Sequence, residues 1–390
     1  MMRHPSLFAP KLALSHNRLS PVEKMGRNEQ CWCRSGKKFK YCHLVREALE
    51  PVNAFEQEQR MFQELREGYC SLPKTDSCSS KISKAHTIQR KGGLAAISEN
   101  NHVLTVKPRM KDMILTGGNP QPRRIGLKDA SVFPGFCSKH DSELFKPIEG
   151  KSLDLDAQSA FLFSYRAIAY ERYAKEAEGR FNIIMREDVD RGQPFWKQSA
   201  MQSLLYDVSI GIELGKSDMN RVKVSFDDIL LSDSFEGFHY CAIRFDRIIP
   251  VVACCAFHPE FDLDGTRLQR LGQDTVELDA VTLTVTVFEG ASIAIFGWAG
   301  PDKGPARLLS ESLLSIDNDR KADALIRLLF IHSDNIFLKP SWWDALNDKQ
   351  KTALNNMTRG GTTMRERSAA EYKDISLDLV EAEVLETVTE

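Results

Sequence analysis

Long apolar runs are missing from this 390-residue chain. No stretch approaches the ~20 residues needed to cross a bilayer, and the first 20, MMRHPSLFAPKLALSHNRLS, hold no continuous apolar segment of the secretory kind. The expectation is a cytoplasmic protein without a membrane span. Cysteine is sparse, nine in 390, which argues against a disulfide scaffold; in a reducing compartment, clustered cysteines point to metal. No GxxxxGK[ST], GxSxG or HExxH occurs, so the phosphate cradle, the serine elbow and the zincin helix are excluded as motifs. The net charge of -2 gives no single-signed field, yet the balance is uneven: +6 over 1–50, -2 over 51–69, +6 over 70–150 and -12 over 151–390. A basic front third suits phosphate or an acidic protein surface, whereas an acidic remainder suits a solvated exterior; the two parts could also attract each other.

The length exceeds what one core usually organises, and the texture changes along the chain. Residues 1–25, with Pro5, Pro10 and Pro21, read as a flexible arm, and 26–43 as a compact cysteine-rich knuckle. A helical spacer is expected over 44–68, broken near Pro51, followed by a Cys/His module of short strand-like runs over 69–150. Residues 152–360 read as an α+β domain. It opens with a helix bearing Phe161, Tyr165 and Ile168 on one face, and a second helix covers about 195–216. Four β-rich runs follow, FHYCAIRF, IPVVACCAF, VTLTVTVF and SIAIFGW, the last two joined at Glu289-Gly290. Helical stretches near 305–315 and 319–332 precede Trp342-Trp343, and the acidic tail, 361–390, is expected to be disordered or weakly helical. The fold class is α+β.

The most specific feature is CWCRSGKKFKYCH, residues 31–43. Cys31, Cys33, Cys42 and His43 supply three thiolates and an imidazole, the donor set of a tetrahedral Cys3His zinc site. The surrounding GRNEQCWCRSGKKFKYCH resembles the SEC-C motif, the zinc knuckle of the SecA C-terminal type. It matches at Gly26, Arg27, Asn28, Cys31, Cys33, Ser35, Gly36, Lys37, Lys38, Lys40, Cys42 and His43. Gln30 and Trp32 stand where the motif usually has proline, and Arg34 where it has glycine. The resemblance implies bound zinc, with iron as the alternative ion. It also implies a docking rather than catalytic role toward a protein partner such as a chaperone or the ribosome, or toward lipid headgroups.

A second ligand set is Cys70, Cys78, Cys137 and His140, with His86 between the pairs. This arrangement resembles a zinc-stabilised HNH or treble-clef module. The resemblance implies a structural zinc on those four residues, and His86 as base toward a catalytic Mg2+ or Mn2+. Seven residues separate Cys70 from Cys78 instead of two, and Ala85 precedes His86 where a metal ligand is usual. The basic charge of 70–150 suits a nucleic-acid partner. Two readings follow. The first is a zinc-binding adaptor that docks a protein or nucleic-acid partner through its front third. The alternative is an HNH-like nuclease acting in defence against foreign nucleic acid.

Other candidates have simpler readings. His239, Cys241, Cys254, Cys255 and His258 lie on β-rich runs, where cysteine serves as a small apolar filler. Glu260, Asp262, Asp264 and Gly265 match too few positions of a calcium loop and read as a polar turn. Trp342-Trp343 reads as packing.

Overall fold

The computed structural model describes residues 18–73, 77–107, 121–150, 152–232, 234–271, 277–360, 367–373 and 377–390, with 109, 112 and 116 besides. Most of the expected arm, 1–17, and parts of the acidic tail, 361–366 and 374–376, lie outside the described residues.

The protein is α+β, built on one eight-stranded antiparallel sheet. Its strands are β2 (His102–Thr105), β3 (Arg123–Gly126), β5 (Phe238–Phe245), β6 (Val251–Phe257), β7 (Val281–Phe288), β8 (Ala291–Ala299), β9 (Ile336–Leu338) and β10 (Val384–Thr389). The order is β10-β5-β8-β7-β6-β9-β2-β3. A separate ribbon pairs β1 (Ala85–His86) with β4 (Val132–Phe133). The β7-β8 hairpin closes over two residues, Phe288 pairing with Ala291. Glu289 and Gly290 both take positive φ, 51° and 78°, which matches the twist of the flanking strands.

Every residue of β6 and β7 is buried, because helices cover both faces of the sheet. The side chains alternate between the two cores, as the period of two requires. Ile243, Phe245, Cys255, Leu283 and Phe296 join the core made with α5 (Pro305–Ser315) and α6 (Lys321–His332). Tyr240, Ala242, Ala256, Ile293 and Ile295 face α3 (Ala157–Asp188). Cys241, Cys254 and Cys255 are all buried strand residues, and burial pushes the Cys254 thiol up to about 12. Trp343 stacks on Phe330 inside the core, and Trp342 donates its indole N–H to Leu379 O at 2.8 Å. Asp262 Oδ1 accepts from the backbone of Asp264 and Thr266, so 260–265 is a polar turn.

Two elements extend the sequence reading. Residues 102–126, assigned above to the Cys/His module, supply β2 and β3 to the main sheet. The acidic tail supplies β10, which pairs with the edge of β5, where Arg244 meets Glu386 at 3.4 Å. Four of its six residues, Val384, Thr387, Val388 and Thr389, are β-branched, and a basic neighbour on β5 offsets the charge of Glu386.

α3 and α4 (Phe195–Ser232) form a long hairpin, α4 running well past the expected end near 216. Asp156 caps α3 by accepting from Ser159 N at 2.8 Å. From Ala160 to Tyr170 every residue of α3 is buried, wedged between the sheet and the 69–150 segment, whereas beyond Glu171 burial becomes periodic. The second half therefore packs mainly on α4 and on α1 (Ala54–Glu64), which runs along it. α1 starts at the cap Asn53, two residues after Pro51. Arg180 of α3 bonds Glu64 O at 2.9 Å, and Arg60 pairs with Asp188.

Candidate metal centres

The knuckle sits at the tip of the hairpin. Gly36 at φ 75° and Arg34 at φ 56° turn the chain between the two ligand pairs, and Phe39 is buried beneath them. Cys31, Cys33, Cys42 and His43 are all buried, with their ligating atoms within 4.8 Å of one another. His43 Nδ1 lies 3.2 Å from the sulfurs of both Cys31 and Cys42, and Cys33 Sγ lies 3.5 Å from Cys42 Sγ. A tetrahedral ion with bonds of about 2.3 Å to sulfur and ~2.0 Å to nitrogen separates its ligands by roughly 3.5–3.8 Å. The donor set and spacing fit such an ion, and all four positions are filled by protein. Hydrogen bonding among the three thiols pushes Cys33 well below its ordinary pKa and Cys31 well above it, so the cluster shares its first negative charge among the sulfurs.

The other imidazole nitrogen is held from outside the knuckle. His43 Nε2 lies 2.9 Å from Asp190 Oδ2, in the turn between α3 and α4. Asp190 is fully buried, and it also accepts from Arg46 Nε at 2.7 Å and Gln202 Nε2 at 3.0 Å. Burial opposes ionisation of Asp190, but His43 and Arg46 outweigh it and hold the carboxyl below its usual range. Such a carboxylate fixes the histidine tautomer and ring orientation, leaving Nδ1 free for metal.

Three further contacts fasten the knuckle. Arg186 donates to Cys33 O, Lys37 pairs with Glu187 at 2.8 Å, and Arg34 donates to Tyr206 Oη at 2.8 Å. Trp32 packs against His43 at 4.5 Å and edge-on to Phe195 at 5.9 Å. Two of the three departures from the motif, Trp32 and Arg34, are thus the residues that meet α4. A non-glycine residue in the left-handed region costs about 1 kcal/mol or more. The Arg34 contact with Tyr206 offsets that cost.

The second group lies at the base of the hairpin. Cys70, Cys78, Cys137 and His140 also bring their ligating atoms within 4.8 Å, with His140 Nδ1 at 3.4, 3.5 and 3.3 Å from the three sulfurs in that order. Strand-like pairing assembles it: Ser71 N bonds Gly135 O at 2.9 Å, Ser83 N bonds Phe136 O at 2.8 Å, and Ile82 bridges Cys137. Cys70 and Cys78 thus reach the site from separate backbone runs. Cys137 is the N-cap residue of α2 (Ser138–Leu144), and the CxxH spacing places His140 in its first turn. Gly135 is required, since a Cβ there would lie 2.0 Å from the Phe133 ring. His140 Nε2 lies 3.2 Å from Ser77 Oγ, a neutral partner where the first group has a carboxylate. Phe133, Phe136, Phe145 and Tyr165 pack beside it, and the buried Lys223 Nζ bonds both Ser71 O and Tyr165 Oη at 2.8 Å. Roughly 35 Å of helix, at ~1.5 Å per residue, separates Tyr165 from the hairpin tip.

His86 lies apart from both groups, on β1, at one wall of an open cleft of about 1040 Å3. It donates from Nδ1 to Ala130 O at 3.1 Å, a bond that leaves Nε2 as the acceptor. Burial, with Arg90 and Arg166 nearby, pushes the imidazole below its ordinary pKa and keeps it neutral. Asp141 and Glu149 line the same cleft, but among the described residues the only groups able to hold a metal are the two Cys3His clusters. Sequence reasoning missed Asp190, Arg46 and Gln202. No local signal marks them, because Asp190 and His43 are 147 residues apart.

Comparison with known proteins identifies the segment that carries the first group. Residues 27–44 are a SEC-C motif. Over 21 residues the chain is 76% identical to protein translocase subunit SecA of three Pseudomonas putida strains, W619 among them, a stretch that is 5% of this chain and 2% of SecA. No solved structure matches the chain. In this chain the SEC-C motif is seated on a helical hairpin. No helix among the described residues is long and apolar enough to cross a membrane.

Proposed function

We propose that the protein is a zinc-organised adaptor, in which both Cys3His groups hold structural zinc and the SEC-C knuckle presents a protein-docking face at the hairpin tip. The observation that carries this reading is the two-sided knuckle. Its inner side is bound to α3 and α4, whereas its outer side exposes Tyr41 (73%) and Val45 (53%) beside Leu44 and Lys38. With four protein ligands at each ion, zinc would supply folding free energy and no open coordination position for a substrate. An apolar centre ringed by lysines suits an acidic partner surface. Tyr41→Ala combined with Val45→Asp should leave metal content and thermal unfolding unchanged while abolishing the partner cross-linked by the parent protein in its native lysate. Equal capture by both proteins would remove the docking face from the account.

His86 supports a second reading, a nuclease. A neutral imidazole with Nδ1–H fixed on a carbonyl and Nε2 free in a cleft has the arrangement of a general base. Magnesium- or manganese-dependent cleavage of DNA or RNA that disappears in His86→Ala would establish it. The absence of cleavage in the parent protein with either metal would end it.

A further inference from the structure

We propose that the cleft beside His86 is a groove for the phosphate backbone of duplex nucleic acid, gripped by Lys84, Arg90, Lys91 and Lys128. This extends the basic-segment reading of the sequence to named residues, and it depends neither on the knuckle's partner nor on catalysis by His86.

The cations are shared between two adjoining depressions. Lys84 lines the larger cleft and Lys128 an adjoining depression of about 470 Å3, while Arg90 and Lys91 line both. A run of phosphates matches such spacing better than a single anion does. All four side chains are exposed, and none forms an ion pair among the described residues.

The acids of the cleft, in contrast, are engaged. Glu149 pairs with the buried Arg166 at 2.7 Å, Asp141 accepts from Ser83 at 2.7 Å, and Glu289 faces Arg244 at 3.7 Å. Arg166 thereby neutralises Glu149, which leaves the four exposed cations in excess over Asp141. The local field is therefore positive within a chain of net charge -2.

Single-strand binders stack bases on exposed aromatic rings. Phe288 in the larger cleft is only 3% exposed, and the other rings along the groove, His86 and His102, each bond a backbone carbonyl through Nδ1, so the groove has no exposed Phe, Tyr or Trp on which bases would stack. A duplex, whose bases are already stacked, suits it.

Fluorescence anisotropy with the full chain and a labelled 20-base-pair DNA duplex tests the proposal. Four phosphate contacts should make log affinity fall with log salt at a slope of about -3 to -4, independent of sequence. Arg90→Ala with Lys91→Ala should flatten that slope by about 2 and weaken binding at low salt. The Tyr41/Val45 variant should bind like the parent, which separates this groove from the docking face. Failure of the parent to bind at about 50 mM salt, or an unchanged slope in the double variant, would overturn the proposal, as would equal displacement by inorganic pyrophosphate at matched charge.

Discussion

A Cys42→Ser variant should keep the sheet and lose the tip of the hairpin. Removing one thiolate leaves three donors, and the free energy that folds so small a knuckle comes chiefly from its metal. With the knuckle undone, the bonds from Arg34, Lys37 and Arg46 to α3, α4 and the turn between them go too. Hydrogen exchange should accelerate across 26–50 and around Asp190, while β5 to β8 stay protected. The main thermal transition should move by only about 1 °C, about 1 kcal/mol, because the cores on the two sheet faces do not include the knuckle. Asp190→Asn is the milder version. It keeps a hydrogen-bond acceptor for His43 but removes the buried charge shared with Arg46, and should weaken metal retention by about 10–100-fold in chelator competition. Loss of the whole fold in Cys42→Ser would mean that the knuckle is not a peripheral unit, and parental retention in Asp190→Asn would remove the carboxylate from the account.

Cys137→Ser should do far more damage. Cys137 has no exposed surface, begins α2, and lies beside the aromatic cluster that α3 covers. Losing the ion there releases 70–71 from 134–135 and exposes Ser71 O, one of the acceptors that satisfy the buried Lys223 ammonium. The expected cost is on the order of 4–5 kcal/mol, a fall in the unfolding midpoint of about 5–6 °C, with loss of soluble yield. Although Cys78 is exposed and Cys70 half-buried, the same substitution type thus separates a site attached to the hairpin tip from one whose Cys137 is built into the aromatic core. A small shift, comparable with that of Cys42→Ser, would show that the aromatic cluster holds this region without metal.

What was legible in the sequence follows from how locally each feature is encoded. The knuckle compresses four ligands into thirteen residues, so composition and spacing alone mark it. The β7-β8 hairpin is equally local, since Glu289-Gly290 supplies both positive φ angles between two β-branched runs. The second group was partly legible: the CxxH pair is local, but strand pairing has to bring it to Cys70 and Cys78. Three features could not be read. Asp190 reaches His43 only because a long hairpin returns to the knuckle, and Trp32 and Arg34 read as mere departures until Phe195 and Tyr206 are seen opposite them. β10 was hidden by its acidity, which the sheet tolerates at an edge beside Arg244.

Both expected effects, and the adaptor reading, rest on two structural zinc ions per chain. The most direct test is elemental analysis of the full-length protein purified without added metal. Two equivalents of zinc per chain, falling to one in Cys42→Ser, are the expected result. A single equivalent in the parent protein, lost entirely in Cys42→Ser, would place the only metal in the SEC-C knuckle and contradict the account of the group at Cys70, Cys78, Cys137 and His140.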